Sequence, residues 1–142
     1  MNTRSRRIAL AATVVLGAYV GVWAQFFPES FYSSFPGFGL HWVDVDGPFN
    51  EHLVRDVGGL YLALGLGSLA AAFSRSAEPG RVVGLAWGVF GVLHFGYHVL
   101  HLQGSAVDVV GNVVGLGLSA ALGIVLALPA RQPSEGRARE RP

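Results

Sequence analysis

Four long apolar segments constrain the fold of this chain more than any other feature of its sequence. They cover about residues 8–27, 53–73, 82–102 and 106–128. A helix needs about 20 apolar residues to cross a hydrocarbon core of about 30 Å. None of the segments alternates with the period of two that is typical of membrane β-strands. The sequence therefore predicts an all-α, integral membrane four-helix bundle, with residues 1–130 as one four-span transmembrane domain.

The first segment also has the features of a secretory signal peptide. Three arginines (Arg4, Arg6 and Arg7) precede it, and residues 22–24 offer a small-residue cleavage site. The apolar run continues through Phe26 and Phe27, which favours a retained span over a cleaved one. Retention is the prediction, with cleavage as the alternative.

The charges predict the orientation of the bundle. Nine of the ten basic residues, all arginine, lie in the N-terminal tail, between the second and third spans, or in the C-terminal tail. Four spans place these regions on one side, which the positive-inside rule makes cytoplasmic. Six of the nine acidic residues lie in or beside the opposite connections. The sequence thus predicts a multi-pass protein of a bacterial inner membrane with both termini in the cytoplasm, and residues 131–142 as a disordered basic tail.

This charge asymmetry is typical of membrane topology, and it argues against a surface that binds nucleic acid. The chain also contains no cysteine, which excludes disulfides and thiolate ligands.

Three histidines stand out on the third span. His94, His98 and His101 fall within an arc of about 60° if the helix is regular. Ionisable groups are costly in lipid and usually mark a functional site. The predicted topology brings polar residues from the start of the second and fourth spans to the same end of the bundle. We therefore expect one polar site facing outward.

The leading hypothesis for this site is metal binding. Imidazole and carboxylate groups suit Zn, Fe or Cu, and histidines four residues apart can share one ion. The predicted ligands are His94, His98, His52, Asp56 and Asp108. The residues expected to support them or to contact a bound molecule are His101, Asn112, Glu51, Arg55, Tyr97 and Trp87. Such a site would make the chain a metal-binding protein, as an oxidoreductase or an accessory to one.

Other uses of the same residues stay open. Haem held between histidines of two helices is a less favoured cofactor. A noncatalytic small-molecule-binding or proton-coupled transport subunit is the second hypothesis. A structural network of histidines and carboxylates that fixes helix register is the third. Glu51 and Arg55, one turn apart, are predicted to form an intrahelical ion pair, with an anion clamp as the alternative for Arg55. His41 is predicted to be a loop residue.

The connection covering residues 28–50 is rich in aromatic side chains. Such a segment can form a belt at the level of the lipid headgroups. It can also form a lid over the histidine site that admits an apolar substrate from the bilayer. Both interpretations place this aromatic loop on the extracytoplasmic side.

Small residues four apart recur along the spans. They predict close helix packing, and their number exceeds what four helices need, which favours a homo-oligomer. The positions are Gly17 and Gly21, Gly84 and Gly88, and the series Gly111, Gly115, Ser119 and Gly123.

Residues 48–59, 94–101 and 108–112 together resemble a group of small, four-span bacterial membrane proteins that is loosely similar to the DoxX-like class. The resemblance covers nearly the whole chain. It implies a four-helix membrane bundle associated with redox chemistry. It supplies no catalytic residues to carry over.

Overall fold

The computed structural model describes residues 2–130, and the predicted tail at 131–142 lies outside them. The regular structure of these residues is helical, with one hairpin of two two-residue strands. Four helices are long and apolar enough to cross a membrane, so the fold is that of a multi-pass membrane protein. The elements are α1 (Arg4–Phe26), α2 (Pro28–Ser34), β1 (Pro36–Gly37), β2 (Leu40–His41), α3 (Glu51–Phe73), α4 (Glu78–Leu100) and α5 (Ala106–Ala127).

The helices begin in the polar flanks of the apolar segments. The Thr3 side chain accepts a hydrogen bond from the Arg6 N–H, so α1 starts within the arginine-rich sequence. Asn50 accepts the N–H of Leu53 and starts α3 at Glu51 in the same way. Such caps satisfy backbone donors that lack a partner within the helix. Hydropathy located the spans correctly but placed the starts of three of them two to four residues late.

The four long helices form two tightly packed pairs. α1 packs along α3 and α4 along α5, whereas contacts between the pairs are much sparser. Glycines bring the backbones together: a Cβ added to Gly17 would lie 2.7 Å from Gly65 Cα, and one added to Gly91 would lie 2.9 Å from Ala120 Cα. Gly21, Gly84, Gly88 and Gly123 also face a neighbouring helix of the same chain. These small-residue faces are therefore occupied within one chain, and the homo-oligomer stays a prediction.

The pairs are joined where the chain starts, which we call the terminal end. The Arg6 guanidinium donates hydrogen bonds to the carbonyls of Leu126 (2.6 Å) and Leu128 (3.1 Å). The Asn2 amide donates to the Ala71 carbonyl at 3.0 Å. Carbonyls at a helix C-terminus lack intrahelical donors, so these side chains cap α5 and α3 while tying both to the start of α1.

At the opposite end, which we call the loop end, residues 28–50 fold into a compact lid. The lid contains α2, the hairpin and a 3-10 turn at Asp44–Asp46. The hairpin strands are antiparallel, with Pro36 opposite His41. His41 thus lies in the connection between spans, as predicted, but within the hairpin. Phe31 and Phe35 pack against each other with ring centroids 4.6 Å apart. The aromatic residues of the predicted loop therefore form a folded cluster.

Candidate functional site

A cavity of about 460 Å³ lies between the two helix pairs at the loop end. Val20 of α1, Val57 of α3 and Leu116 of α5 contribute apolar walls, and Phe31 and Phe35 of the lid cover it. Sites for small organic molecules usually measure roughly 300–1,000 Å³ and combine apolar walls with a few polar groups. The cavity has this size and this character within a single chain.

Trp87 and Tyr61 close the floor of the cavity. The fully buried Trp87 donates its indole N–H to Ser68 Oγ at 3.0 Å, and that hydroxyl donates to the Leu64 carbonyl at 2.9 Å. The Tyr61 ring meets the Trp87 indole edge-on at 5.6 Å and lines the cavity. Trp87 therefore joins α4 to α3 below the polar site that it was expected to support.

His94 and His98 both line the cavity, as their spacing on α4 predicts. The His94 ring stacks on Phe90 with centroids 5.1 Å apart and meets the His98 ring at 4.7 Å. Within residues 2–130, neither ring nitrogen of His94 forms a hydrogen bond. His94 therefore offers an unpaired polar group to anything that enters the cavity.

His98 pairs with Asp46 of the lid. The distance from His98 Nδ1 to Asp46 Oδ2 is 3.7 Å, and the two side chains are only 12% and 26% exposed. Burial raises the pKa of Asp46 above its usual 3.8, while the nearby His98 and His101 act in the opposite direction. Asp46 is not among the site residues predicted from the sequence. Its position, as an acidic residue in a segment expected to cover the histidines, was the feature of the sequence that could have identified it.

The polar residues at the start of α3 lie apart from His94. His52 Nε2 is 3.3 Å from Asp56 Oδ2, both side chains are exposed, and neither lines the cavity. Arg55 Nε lies 2.8 Å from Glu51 Oε1, which confirms the predicted intrahelical ion pair. The structure therefore does not bring the α3 residues into one cluster with the histidines of α4.

Arg55 also has a second partner, because it donates to the Gln25 carbonyl at the end of α1. Its guanidinium thus ties α3 to α1 at the loop end.

Asp108 caps α5 and holds the lid. Its carboxylate accepts hydrogen bonds from the Ser105 hydroxyl (2.5 Å) and backbone N–H (3.2 Å), completing a capping box. The same carboxylate accepts the backbone N–H of His41 at 3.0 Å. Asn112, one turn further along α5, lines the cavity. The predicted ligand Asp108 is thus engaged by three donors.

His101 departs from the helical face that the sequence predicts for it. It is the C-cap of α4, with φ −131° and ψ 53°, because the helix ends at Leu100. Its ring stacks on Tyr97 at 4.3 Å, and its Nδ1 is 2.8 Å from the Tyr97 carbonyl oxygen. His101 is exposed and does not line the cavity, whereas Tyr97 does.

Trp42 of the lid rests on glycines of α5. A Cβ added to Gly111 would lie 2.8 Å from Trp42 Cζ2, and one added to Gly115 would lie 3.3 Å from Cη2. These two glycines were predicted to pack against another helix. They instead leave space for the indole, and this contact of the lid was missed because an aromatic residue in a loop carries no sign of its partner.

Within the described part of the chain, no three histidine, aspartate or glutamate side chains are grouped closely enough to hold a metal ion. The five predicted ligands divide into the pair His94 and His98, the separate pair His52 and Asp56, and the capping residue Asp108. Metal binding stays a prediction.

Comparison with protein-family models, with curated proteins and with solved structures found no match to this chain. The resemblance to DoxX-like proteins likewise stays a prediction.

Proposed function

We propose that this chain is a membrane protein that binds a small apolar molecule carrying a hydrogen-bonding group. The observation that carries the proposal is the cavity between the helix pairs, which combines apolar walls with the unpaired imidazole of His94. This is the noncatalytic binding function among the alternatives that the sequence raises. Of the two interpretations of the aromatic connection, a belt at the headgroup level and a cover over the histidines, the proposal takes the cover.

The physical chemistry of the cavity supports such a ligand. Transfer of apolar surface from water is favourable by about 25 cal/mol per Å². A hydrogen bond to His94 would add about 0.5–1.5 kcal/mol and would fix the orientation of the ligand. The apolar walls provide the affinity, and His94 provides the selection.

We further propose that the loop end faces the extracytoplasmic side of a bacterial inner membrane, with both termini in the cytoplasm. The support is the concentration of arginines at the terminal end and in the two tails. The cavity is lined by one chain, so binding does not require the predicted homo-oligomer.

A titration with an uncharged fluorescent probe, N-phenyl-1-naphthylamine, tests the binding function in nanodiscs. Val57→Phe adds volume to the cavity wall, and Val89→Phe makes the same change at an exposed position of α4 that does not line the cavity. Leu116→Phe fills the cavity from α5. We expect both cavity variants to bind at least about tenfold more weakly than Val89→Phe and the wild type, because about 1.4 kcal/mol corresponds to a factor of ten. Equal binding by all four proteins would refute the proposal.

Metal analysis of the purified protein tests the leading sequence hypothesis separately. A stoichiometric metal that is lost in both His94→Ala and His98→Ala would establish a metal site at these two histidines. If the cavity variants also bind the probe as tightly as the wild type does, metal binding would replace small-molecule binding as the proposed function.

A further inference from the structure

The cavity opens on one side of the bundle. All of its exposed lining residues lie around the gap between the start of α3 and the end of α4, and the remaining lining residues are buried or half-buried. We call this gap the α3–α4 portal. Its residues are Asp46, Gly47, Pro48, Asn50, Leu53 and Tyr97.

The other sides of the cavity are closed. Within the α1–α3 pair, a Cβ added to Gly58 would lie 2.9 Å from Gln25 Cα, so the two backbones are in contact. The α4–α5 pair is closed in the same way at Gly91. Trp42 covers the cavity along α5, and Trp87 lies below it. At the remaining seam, between α1 and α5, the lining side chains are buried or half-buried, so the exposed lining residues lie at the portal.

In a bilayer crossed by α3 and α4, the portal would lie near the headgroup layer, because its residues are close to the ends of these helices. Leu53 and Tyr97 line the cavity and are 61% and 51% exposed, so each contacts both the cavity and the surroundings. Both lie within about 5 Å of a helix end at a rise of 1.5 Å per residue. Below them the exposed side chains Leu60 and Leu93 are apolar. The portal thus has an apolar edge on the bilayer side and a polar edge formed by Asp46 and Asn50.

The charges at the cavity disfavour an ionised ligand. Asp46 faces His98, which leaves neither group free to pair with an ion on the ligand. Arg55 is engaged by Glu51 and by the Gln25 carbonyl, and it does not line the cavity. Burying a charged group without a partner is strongly unfavourable, so this lining favours an uncharged head group.

Building on the binding function proposed above, we propose that the ligand is an uncharged amphiphile dissolved in the bilayer, which enters sideways through the α3–α4 portal. Its apolar body lies against the walls from Val20 to Leu116, and its head group meets His94. The competing route, from water through the lid, is an outcome of the following test.

The absence of cysteine makes a site-specific test possible. Leu53→Cys places a single thiol at the portal, and Phe38→Cys places one at the fully exposed tip of the hairpin, which does not line the cavity. Each variant is labelled with the same bulky maleimide in phosphatidylcholine nanodiscs. Stopped-flow fluorescence then measures association and dissociation of N-phenyl-1-naphthylamine.

An obstructed entrance slows both rates by the same factor and leaves the equilibrium unchanged. We expect the label at Leu53 to lower the dissociation rate constant of bound probe by about tenfold, equivalent to about 1.4 kcal/mol of barrier, whereas a label that only displaced the probe from the cavity would not slow its release. The label at Phe38 should change neither rate. Leu53→Ala, which widens the portal, should raise both rates, whereas Leu66→Ala on the exposed face of α3 should not.

The charge of the ligand is tested with a matched anionic probe. 8-Anilinonaphthalene-1-sulfonate has a similar aromatic body and a sulfonate, and it should bind in the cavity at least about tenfold more weakly than the neutral probe. Equal or tighter binding of the anion would overturn the uncharged head group.

Two further results would overturn the portal: unchanged rates with the Leu53 label, or slowing by the Phe38 label, which would indicate entry through the lid. Either result combined with loss of binding in Val57→Phe would leave the binding function standing. Equal binding by Val57→Phe and Val89→Phe would refute the binding function itself.

Discussion

Gly111→Ala should weaken the docking of the lid on α5. The added methyl group would lie 2.8 Å from Trp42 Cζ2, whereas carbon atoms in contact normally lie about 3.5–4.0 Å apart. The indole must therefore move by more than about half an ångström. Overpacking of this kind costs about 1–3 kcal/mol. Alanine also favours the helix by about 1 kcal/mol, but this gain applies to α5 whether the lid is docked or open, so it cancels in the docking equilibrium.

Gly117→Ala on the same helix is the matched control. Its added methyl group would make an ordinary contact with Phe95 at 3.5 Å and would not touch the lid. The two variants therefore share the gain in helix propensity and differ in the clash with Trp42.

Hydrogen exchange at the His41 amide measures docking directly, because this N–H is bonded to Asp108 only while the lid is in place. A docking loss of about 1.4 kcal/mol corresponds to about tenfold faster exchange. We expect that acceleration in Gly111→Ala and none in Gly117→Ala. Equal exchange in the two variants would show that Trp42 does not hold the lid to α5.

Three further predictions concern the lid and the helix pairs. Asp108→Ala should accelerate His41 exchange and lower the free energy of unfolding by about 0.5–2 kcal/mol through loss of the capping box. Ser105→Ala should also lower the free energy of unfolding, but it leaves the bond between Asp108 and the His41 N–H in place. Equal exchange in the two variants would show that Asp108 does not hold the lid. Burial raises the pKa of Asp46 in the folded protein above 3.8, so ionisation of Asp46 opposes folding. The stability that protonated Asp46 contributes should therefore be present below pH 3.8 and lost as the pH rises through the raised pKa. Asp46→Asn should remove this loss, as measured by thermal unfolding at a series of pH values. Gly123→Ala places a methyl group against the Gly88 backbone and should cost about 2 kcal/mol or more in unfolding experiments, with Gly117→Ala unchanged or stabilised.

The spans were predictable because hydropathy reports directly on burial in lipid. All four apolar segments form long helices. α1 and α3 begin earlier than hydropathy predicts because Thr3 and Asn50 cap them, and α4 begins earlier at Glu78, with a proline in its first turn. The pairing of α1 with α3 and of α4 with α5 was not predicted. Small residues mark a close approach, but they do not specify which element approaches, as Gly111 and Trp42 illustrate.

The candidate site was predictable where one helix determines it. His94 and His98 share a cavity because four residues make slightly more than one helical turn. His101 lies off the predicted helical face because α4 ends before it. His52 and Asp56 do not face the cavity, because the rotation of a helix about its axis depends on packing rather than on sequence spacing. Asp46 lies in the lid, whose fold depends on long-range contacts with α5.

Native mass spectrometry of the protein released from nanodiscs counts the neutral probe molecules retained by each chain, and it therefore tests whether a ligand binds between the two helix pairs. We expect one bound molecule per chain for the wild type and for Val89→Phe, and loss of that molecule in Val57→Phe. Retention of the same number in Val57→Phe, or of none in the wild type at a saturating probe concentration, would contradict a ligand site between the two helix pairs.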